Sequence, residues 1–180
     1  MRLDGRRLLI GGLVAFGLAG CQQSNVAPEA ATATALAPAP LVKREGVSLA
    51  EATVALVSLD GAPEAATEDF RQSLTHALAA REAPIADAKT ARYLLRVYLS
   101  ASPAEGGASL DYVVDVFDAS RVRVGRIGDG VALKGSGDAW SLASTEALAA
   151  AAASCADDLA AFLSNRPEAA AAKALSYAPQ

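Results

Sequence analysis

Residues 91–118, ARYLLRVYLSASPAEGGASLDYVVDVFD, decide the fold. Residues 91–101 are rich in aromatic and branched side chains and alternate between apolar and polar types, which is typical of a half-buried strand. Residues 109–118 repeat this pattern. Between them, Glu105-Gly106-Gly107 favours a tight turn because glycine supplies the backbone conformations that such turns need. The stretch therefore predicts an antiparallel β-hairpin.

The residues around the hairpin extend it into a small sheet with helices. Residues 53–59 predict a first strand, and residues 63–82 carry apolar side chains at the three- and four-residue spacing of an amphipathic helix. A fourth strand is predicted from Val122 to about Ile127, resuming through Leu133. Asp138 is expected to cap a final helix that ends near Ser164. The expected fold class is α+β, in the order β-α-β-β-β-α, with two helices packed on one face of a mainly antiparallel four-stranded sheet.

The first 21 residues have the organisation of an export signal. Arg2, Arg6 and Arg7 precede an apolar run from Leu8 to Leu18, which is too short to span a bilayer. The run ends in Leu18-Ala19-Gly20-Cys21, which resembles the lipobox of bacterial lipoproteins. That resemblance implies cleavage between Gly20 and Cys21 and acylation of Cys21, with the acyl chains inserted in the membrane. A plain secretory signal with an accidental cysteine, or a single membrane anchor, is the alternative.

The same segment bears on localisation. Gln22 follows the cysteine where inner-membrane lipoproteins usually carry aspartate, so the resemblance implies a periplasm-facing protein of the outer membrane rather than the inner one. The paired Arg6 and Arg7 leave both general secretion and twin-arginine export open.

Two segments flank the expected domain, which we place at residues 47–165. Residues 21–46 begin with the lipidated cysteine and mix proline with alanine, threonine and serine without apolar periodicity, so we expect a disordered tether. Residues 166–180 are alanine-rich and offer little to bury, so we expect a flexible tail.

Composition excludes several function classes. The 180 residues carry 16 Lys+Arg and 20 Asp+Glu, a net charge of −4, which argues against a nucleic-acid partner. With two cysteines and one histidine, neither a metal site nor a cofactor is predicted.

No catalytic arrangement emerges from the remaining residues. Asp111 and Asp115 share one face of a strand about 13 Å apart, too far for one metal ion, and we expect that face to point to solvent. The glycine-rich run 125–130 is followed by another extended stretch instead of a helix, so it predicts a bulge or bend and not a phosphate loop. His76 is expected at the surface and Cys155 inside the last helix's apolar seam. We therefore expect no enzyme activity.

The sheet face opposite the helices, or the edge of the sheet, is the expected interaction surface. Arg96, Tyr98 and Arg123 are candidates for it because they lie on predicted strands, where they join Asp111, Asp115 and either Tyr112 or Phe117. Trp140 has two interpretations: it packs the final helix against the sheet, or it belongs to the contact surface.

Beyond the lipobox, the domain resembles small uncharacterised proteobacterial envelope lipoproteins. The matching stretches are VALVSLDGAPEA, RYLLRVYLSA, DYVVDVFDAS and GDAW before the alanine-rich last helix. More distantly it resembles helper lipoproteins of envelope assembly and export, although Gln22-Gln23-Ser24-Asn25 stands where the lipopolysaccharide-assembly group has another motif. The resemblance implies a membrane-anchored, non-enzymatic protein that binds or scaffolds an envelope protein partner. The alternative is a lipid- or glycan-binding lipoprotein.

Overall fold

The computed structural model describes residues 42–169, and the export signal, Cys21, most of the expected tether and the tail from residue 170 onwards lie outside this range. Four strands and three helices follow one another along the chain. They are β1 (Val54–Asp60), α1 (Glu64–Ala80), β2 (Tyr93–Ala104), β3 (Gly107–Asp118), β4 (Arg123–Lys134), α2 (Ala139–Leu142) and α3 (Thr145–Ser164).

The four strands form one sheet in the order β1-β2-β3-β4. β2 and β3 pair antiparallel from Tyr93–Asp118 to Ala104–Gly107, and β3 pairs antiparallel with β4. β1 runs parallel to β2, so the chain must cross over between them, and α1 makes that crossing. The α+β fold and its element order are thus confirmed.

Burial along β3 shows which side of the sheet the helices cover. Leu110, Tyr112, Val114 and Val116 are each at most 1% exposed and belong to one core cluster with Leu159 of α3. The alternate residues, such as Val113 and Phe117, are only half-buried. Because successive side chains in a strand point to opposite faces, one face is covered and the other is open.

Helices α1 and α3 pack directly against each other on the covered face. Arg81, just after α1, donates two hydrogen bonds to Asp157 of α3, at 2.6 and 2.8 Å, and one to the carbonyl of Ala153. Within residues 42–169, α3 is the one helix long and apolar enough to cross a membrane. More than half of its most apolar window is buried inside the domain, as expected of a core helix.

The predicted final helix is wrong in one respect, because it is two helices. Asp138 caps only the short α2, where its carboxylate accepts hydrogen bonds from the backbone N–H groups of Trp140 and Ser141. A second cap, Ser144, accepts from the N–H of Ala147 and starts α3. The chain therefore changes direction at Ala143 before the long helix begins.

Strand β4 also differs from its prediction, since it runs without interruption from Arg123 to Lys134. The glycine-rich run lies inside this strand. It therefore does not form a phosphate-binding loop, which would connect a strand to a helix. The bulge predicted for residues 125–130 lies just before them, at Val124, where the pairing passes from Val116–Gly125 to Phe117–Arg123. Gly125 follows the bulge, and a Cβ there would meet the ring of Phe162 on α3.

The two ends of the described chain meet beside the end of α3. The backbone N–H of Arg44 donates to the Ser164 hydroxyl at 2.9 Å, and the side chain of Asn165 donates to the carbonyl of Val42. Past the helix, the Tyr93 hydroxyl donates to Glu168 at 2.7 Å. Packing therefore extends beyond the domain limits of 47 and 165 that we expected.

Candidate functional site on the open face of the sheet

The side of the sheet that the helices leave uncovered, hereafter the open face, presents the polar residues of β2, β3 and β4. Arg96 and Tyr98 of β2 lie there, and Tyr98 is 38% exposed. Arg96 pairs with Asp115 in the β2–β3 register, and Tyr98 pairs with Val113. Three of the predicted interaction residues, Arg96, Tyr98 and Arg123, thus belong to one face.

An acidic side chain lies at the centre of this face between two arginines. Asp115 Oδ1 is 3.5 Å from Nη1 of Arg123 and 3.7 Å from Nη1 of Arg126. Asp115 is only 7% exposed, whereas both arginine side chains are more than half exposed. Asp115 therefore lies on the face that was predicted to point to solvent, but the residue itself is buried beside the two arginines. One negative charge between two positive ones leaves this group, the Asp115 cluster, net positive.

The bulge at Val124 explains how both arginines reach the same carboxylate. Arg123 pairs with Phe117 and Arg126 pairs with Asp115, two residues of β3 that share a face. Arg123 and Arg126 are separated by an odd number of positions, so regular alternation would put them on opposite faces. Arg126 was missed in the sequence because that alternation gives no signal for it.

A small cleft opens beside the Asp115 cluster. It has a volume of about 170 Å³ and is lined by Val57, Ala88, Leu94, Arg96, Phe117 and Arg121. The Arg96 guanidinium lies 5.5 Å from the centre of the Phe117 ring, within the range of a cation–π contact. Of the two aromatics predicted as alternatives for this face, Phe117 lies on it, whereas Tyr112 is buried on the covered face.

Trp140 does not join the open-face residues. It lies in α2, is half-buried and packs against the core cluster that also includes Ala139 and Leu110. This position agrees with the packing interpretation of Trp140.

The covered face holds the remaining titratable groups. The Tyr112 hydroxyl donates to Asp158 at 2.7 Å, and burial together with this bond raises the pKa of Tyr112 far above its ordinary value. Burial also raises the pKa of the Cys155 thiol, so it stays protonated and unreactive. The expected burial of Cys155 and exposure of His76 are both confirmed.

Metal-ligating side chains do not cluster anywhere between residues 42 and 169, where no three His, Cys, Asp or Glu residues are placed to hold an ion. Asp111 instead accepts a hydrogen bond from the Ser109 hydroxyl of its own strand at 2.6 Å.

No protein-family model matches this chain, and no curated protein sequence matches it. Several solved structures are similar to it. A chain of the PelC dodecamer from Paraburkholderia phytofirmans shares 18% identity at a TM-score of 0.39, covering 62% of this chain and 94% of that one. A DUF330 protein from Xanthomonas campestris shares 11% identity at a TM-score of 0.47, covering 69% and 90%. A minor lipoprotein from Acinetobacter baumannii shares 14% identity at a TM-score of 0.40, covering 63% and 93%. Because all three TM-scores lie below 0.5, we transfer no site or activity from them.

Proposed function

We propose that this chain is a lipid-anchored protein of the bacterial cell envelope whose domain binds another envelope protein through the open face of its sheet, without catalysing a reaction. The observation that carries this proposal is the contrast between the two faces. Helices cover most of one face, while the other presents the Asp115 cluster and the cleft to solvent. A sheet face that keeps an ordered group of charges uncovered is suited to recognition.

The membrane part of the proposal rests on the N-terminal sequence. Leu18-Ala19-Gly20-Cys21 after a basic and then an apolar segment fits signal cleavage at Cys21 and acylation of its thiol. Gln22 favours the outer membrane. The chain has a net charge of −4, so acyl chains and not surface charge would hold it at an anionic membrane.

The charges of the open face favour an acidic partner protein. Arg123 and Arg126 share the single carboxylate of Asp115. Arg96 and Arg121 have no carboxylate within 4 Å among residues 42–169. A positive patch on an otherwise acidic chain attracts a negatively charged surface and rejects a basic one.

The absence of catalysis is supported by the reactive groups that the structure does describe. Cys155 is buried and protonated, and His76 lies on the exposed side of α1. Neither has a partner that would make it a nucleophile or a base among the hydrogen bonds of residues 42–169.

A lipid or glycan held between sheet and helices is the less favoured function. Tyr112, Leu110 and Leu159 fill that space, and each is at most 1% exposed. We therefore prefer a partner on the surface of the sheet.

Photo-crosslinking in cells tests the docking surface. A crosslinking amino acid is placed in the full chain at Tyr98 on the open face or at Thr75, an exposed position of α1. We expect a discrete protein adduct from position 98 that weakens when Arg123 and Arg126 are both changed to glutamate, and none from position 75. Equal adducts from both positions, or none from position 98, would contradict the proposal.

The anchor has its own test, which is Cys21→Ala. Alanine has no thiol to acylate, so we expect an unprocessed precursor that keeps its signal segment in the membrane fraction. A variant that is cleaved normally and still partitions into detergent would show that Cys21 is not the lipid attachment site.

A further inference from the structure

We propose that the cleft beside the Asp115 cluster is a specific peptide-binding site, which takes one apolar side chain of the partner while Arg96 and Arg121 bind carboxylates next to it. This inference rests on the proposed function and adds the chemistry of the partner's recognition segment, an apolar residue flanked by acidic ones.

The floor of the cleft is apolar although it lies on the solvent side of the sheet. Val57, Leu94 and Phe117 line it, and Val57 is 46% exposed. Val57 is the residue that the β1–β2 pairing skips, since Leu56 pairs with Leu95 and Ser58 with Arg96. The bulge thus exposes a large apolar side chain to water. Covering that side chain with one from a partner would therefore be favourable.

The rim of the cleft carries two arginines that form no ion pair within residues 42–169. Arg96 stacks over Phe117, and the ion pairs of residues 42–169 include neither Arg96 nor Arg121. A guanidinium presents a planar set of donors that matches a carboxylate, and a pair of them at the edge of an apolar pocket selects an acidic segment.

Arg121 supports the assignment in a second way, through its backbone. It has φ = +63°, a left-handed conformation that favours glycine or asparagine. The β3–β4 turn is held by backbone and Asp118 contacts: the N–H of Arg121 donates to the Asp118 carbonyl, and the N–H of Val122 donates to Asp118 Oδ1. Those contacts need no arginine side chain, so the turn does not explain this residue whereas the cleft does.

The size of the cleft decides between occupants. A volume of about 170 Å³ suits one side chain of the size of leucine and is too small for a whole acyl chain. Residues that dominate binding energy lie in well-packed pockets whose surrounding contacts exclude water, and a side chain in this cleft with carboxylates on the rim arginines would have that arrangement. We therefore assign the cleft to a peptide and not to a lipid.

The test follows backbone amide signals of the full-length chain, in zwitterionic detergent, during titration with capped peptides. The probe is a pentapeptide with one leucine flanked on each side by two glutamates. We expect its addition to shift the signals of Val57, Leu94 and Phe117. Replacing the leucine by glycine should weaken binding about tenfold, because the apolar contact is lost, and replacing the glutamates by lysine should abolish it.

Three variants separate binding from folding. Arg121→Gly relieves the left-handed backbone and should melt no lower than the parent, yet bind the leucine peptide about fivefold or more weakly. Val57→Asp should also weaken binding. Arg71→Gln, an arginine of α1 on the covered side, is the matched control and should bind as the parent does.

Each contrary outcome points to a distinct error. Equal binding of the leucine and glycine peptides, full binding by Arg121→Gly, or shifts produced at lower concentration by phosphatidylglycerol than by the peptide would overturn the cleft assignment. If adducts still form at Tyr98 in those cases, the proposed docking function stands. If the peptide binds as expected but Tyr98 captures nothing in cells, the cleft binds such peptides, and the docking function on which this inference rests fails.

Discussion

The two faces of strand β3 have different roles in the domain. Side chains that point to the helices, such as Tyr112 and Val114, are buried and make the core, whereas those that point the other way include Asp115 and Phe117. Neighbouring residues of one strand therefore serve different purposes. The comparison teaches that stability and recognition can be changed separately here, because alternate residues share a backbone but few contacts.

The largest contrast is expected between two phenylalanines on opposite faces. Phe70 of α1 is fully buried on the covered face, and Phe70→Ala should lower the free energy of unfolding by about 3–5 kcal/mol. Phe117→Ala on the open face should cost about 1 kcal/mol, since its ring is only half-buried. Denaturant unfolding of both variants measures the difference, and equal losses would mean that the open face is also core.

Trp140 gives the next largest effect. Because it is half-buried against the core, Trp140→Ala should lower the free energy of unfolding by about 2–3 kcal/mol, less than for a fully buried aromatic. Its native fluorescence should be blue-shifted and partly protected from quenchers. A red, fully quenchable emission in the parent protein would move Trp140 to the interaction surface.

Two tyrosines sharpen the comparison through their hydroxyl groups. Tyr112→Phe removes the hydrogen bond to Asp158 and should cost about 1–2 kcal/mol of stability. Tyr98→Phe changes an exposed residue of the open face and should leave stability unchanged within about 0.5 kcal/mol. Thermal melts of the pair provide the measurement. A larger loss for Tyr98→Phe would contradict the division between the faces.

The smallest effect concerns pH and the contact between the two long helices. The hydrogen bonds from Arg81 hold the pKa of Asp157 below its ordinary value. The stabilisation is therefore fully present above about pH 3.9, the unfolded value, and is lost as the pH falls through the lower folded value. Asp157 is exposed, so the loss should stay below about 1 kcal/mol. In Asp157→Asn the free energy of unfolding should change less between about pH 5 and about pH 2 than in the parent. The same pH dependence in both proteins would contradict this prediction.

The element order was predictable from local patterns, and the break between α2 and α3 was not recognised. The hairpin of residues 91–118 and the cap at Asp138 follow from alternation and from residue chemistry. One continuous helix was predicted from Asp138 onwards, although Leu142 lies about 120° around a helix from the apolar stripe that begins at Leu148. Ser144 followed by Thr145 and Glu146 was the available signal, because serine accepts a hydrogen bond from the first turn of a helix.

The candidate site was predictable only in part. Arg96, Tyr98 and Arg123 could be placed on strands, but the sequence left open whether Tyr112 or Phe117 shared their face, since that depends on which face the helices cover. Arg121 gave no signal because a left-handed arginine in a turn is identified by its backbone angle alone. Sites built from several strands need the register, which a single sequence does not contain.

Because of the bulge at Val124, the face on which Arg123 and Arg126 lie depends on how many residues separate them. Deleting Val124 would remove no charge and no core side chain of β3, yet it would return β4 to strict alternation. Arg123 and Arg126 would then be two positions apart and would stay on the same face, with Arg123 still opposite Phe117 and Gly125 still opposite Val116. A one-residue gap in an alignment of relatives would ordinarily be ignored as loop variation. Here such a gap would mark the relatives in which β4 needs no bulge to keep both arginines on the open face.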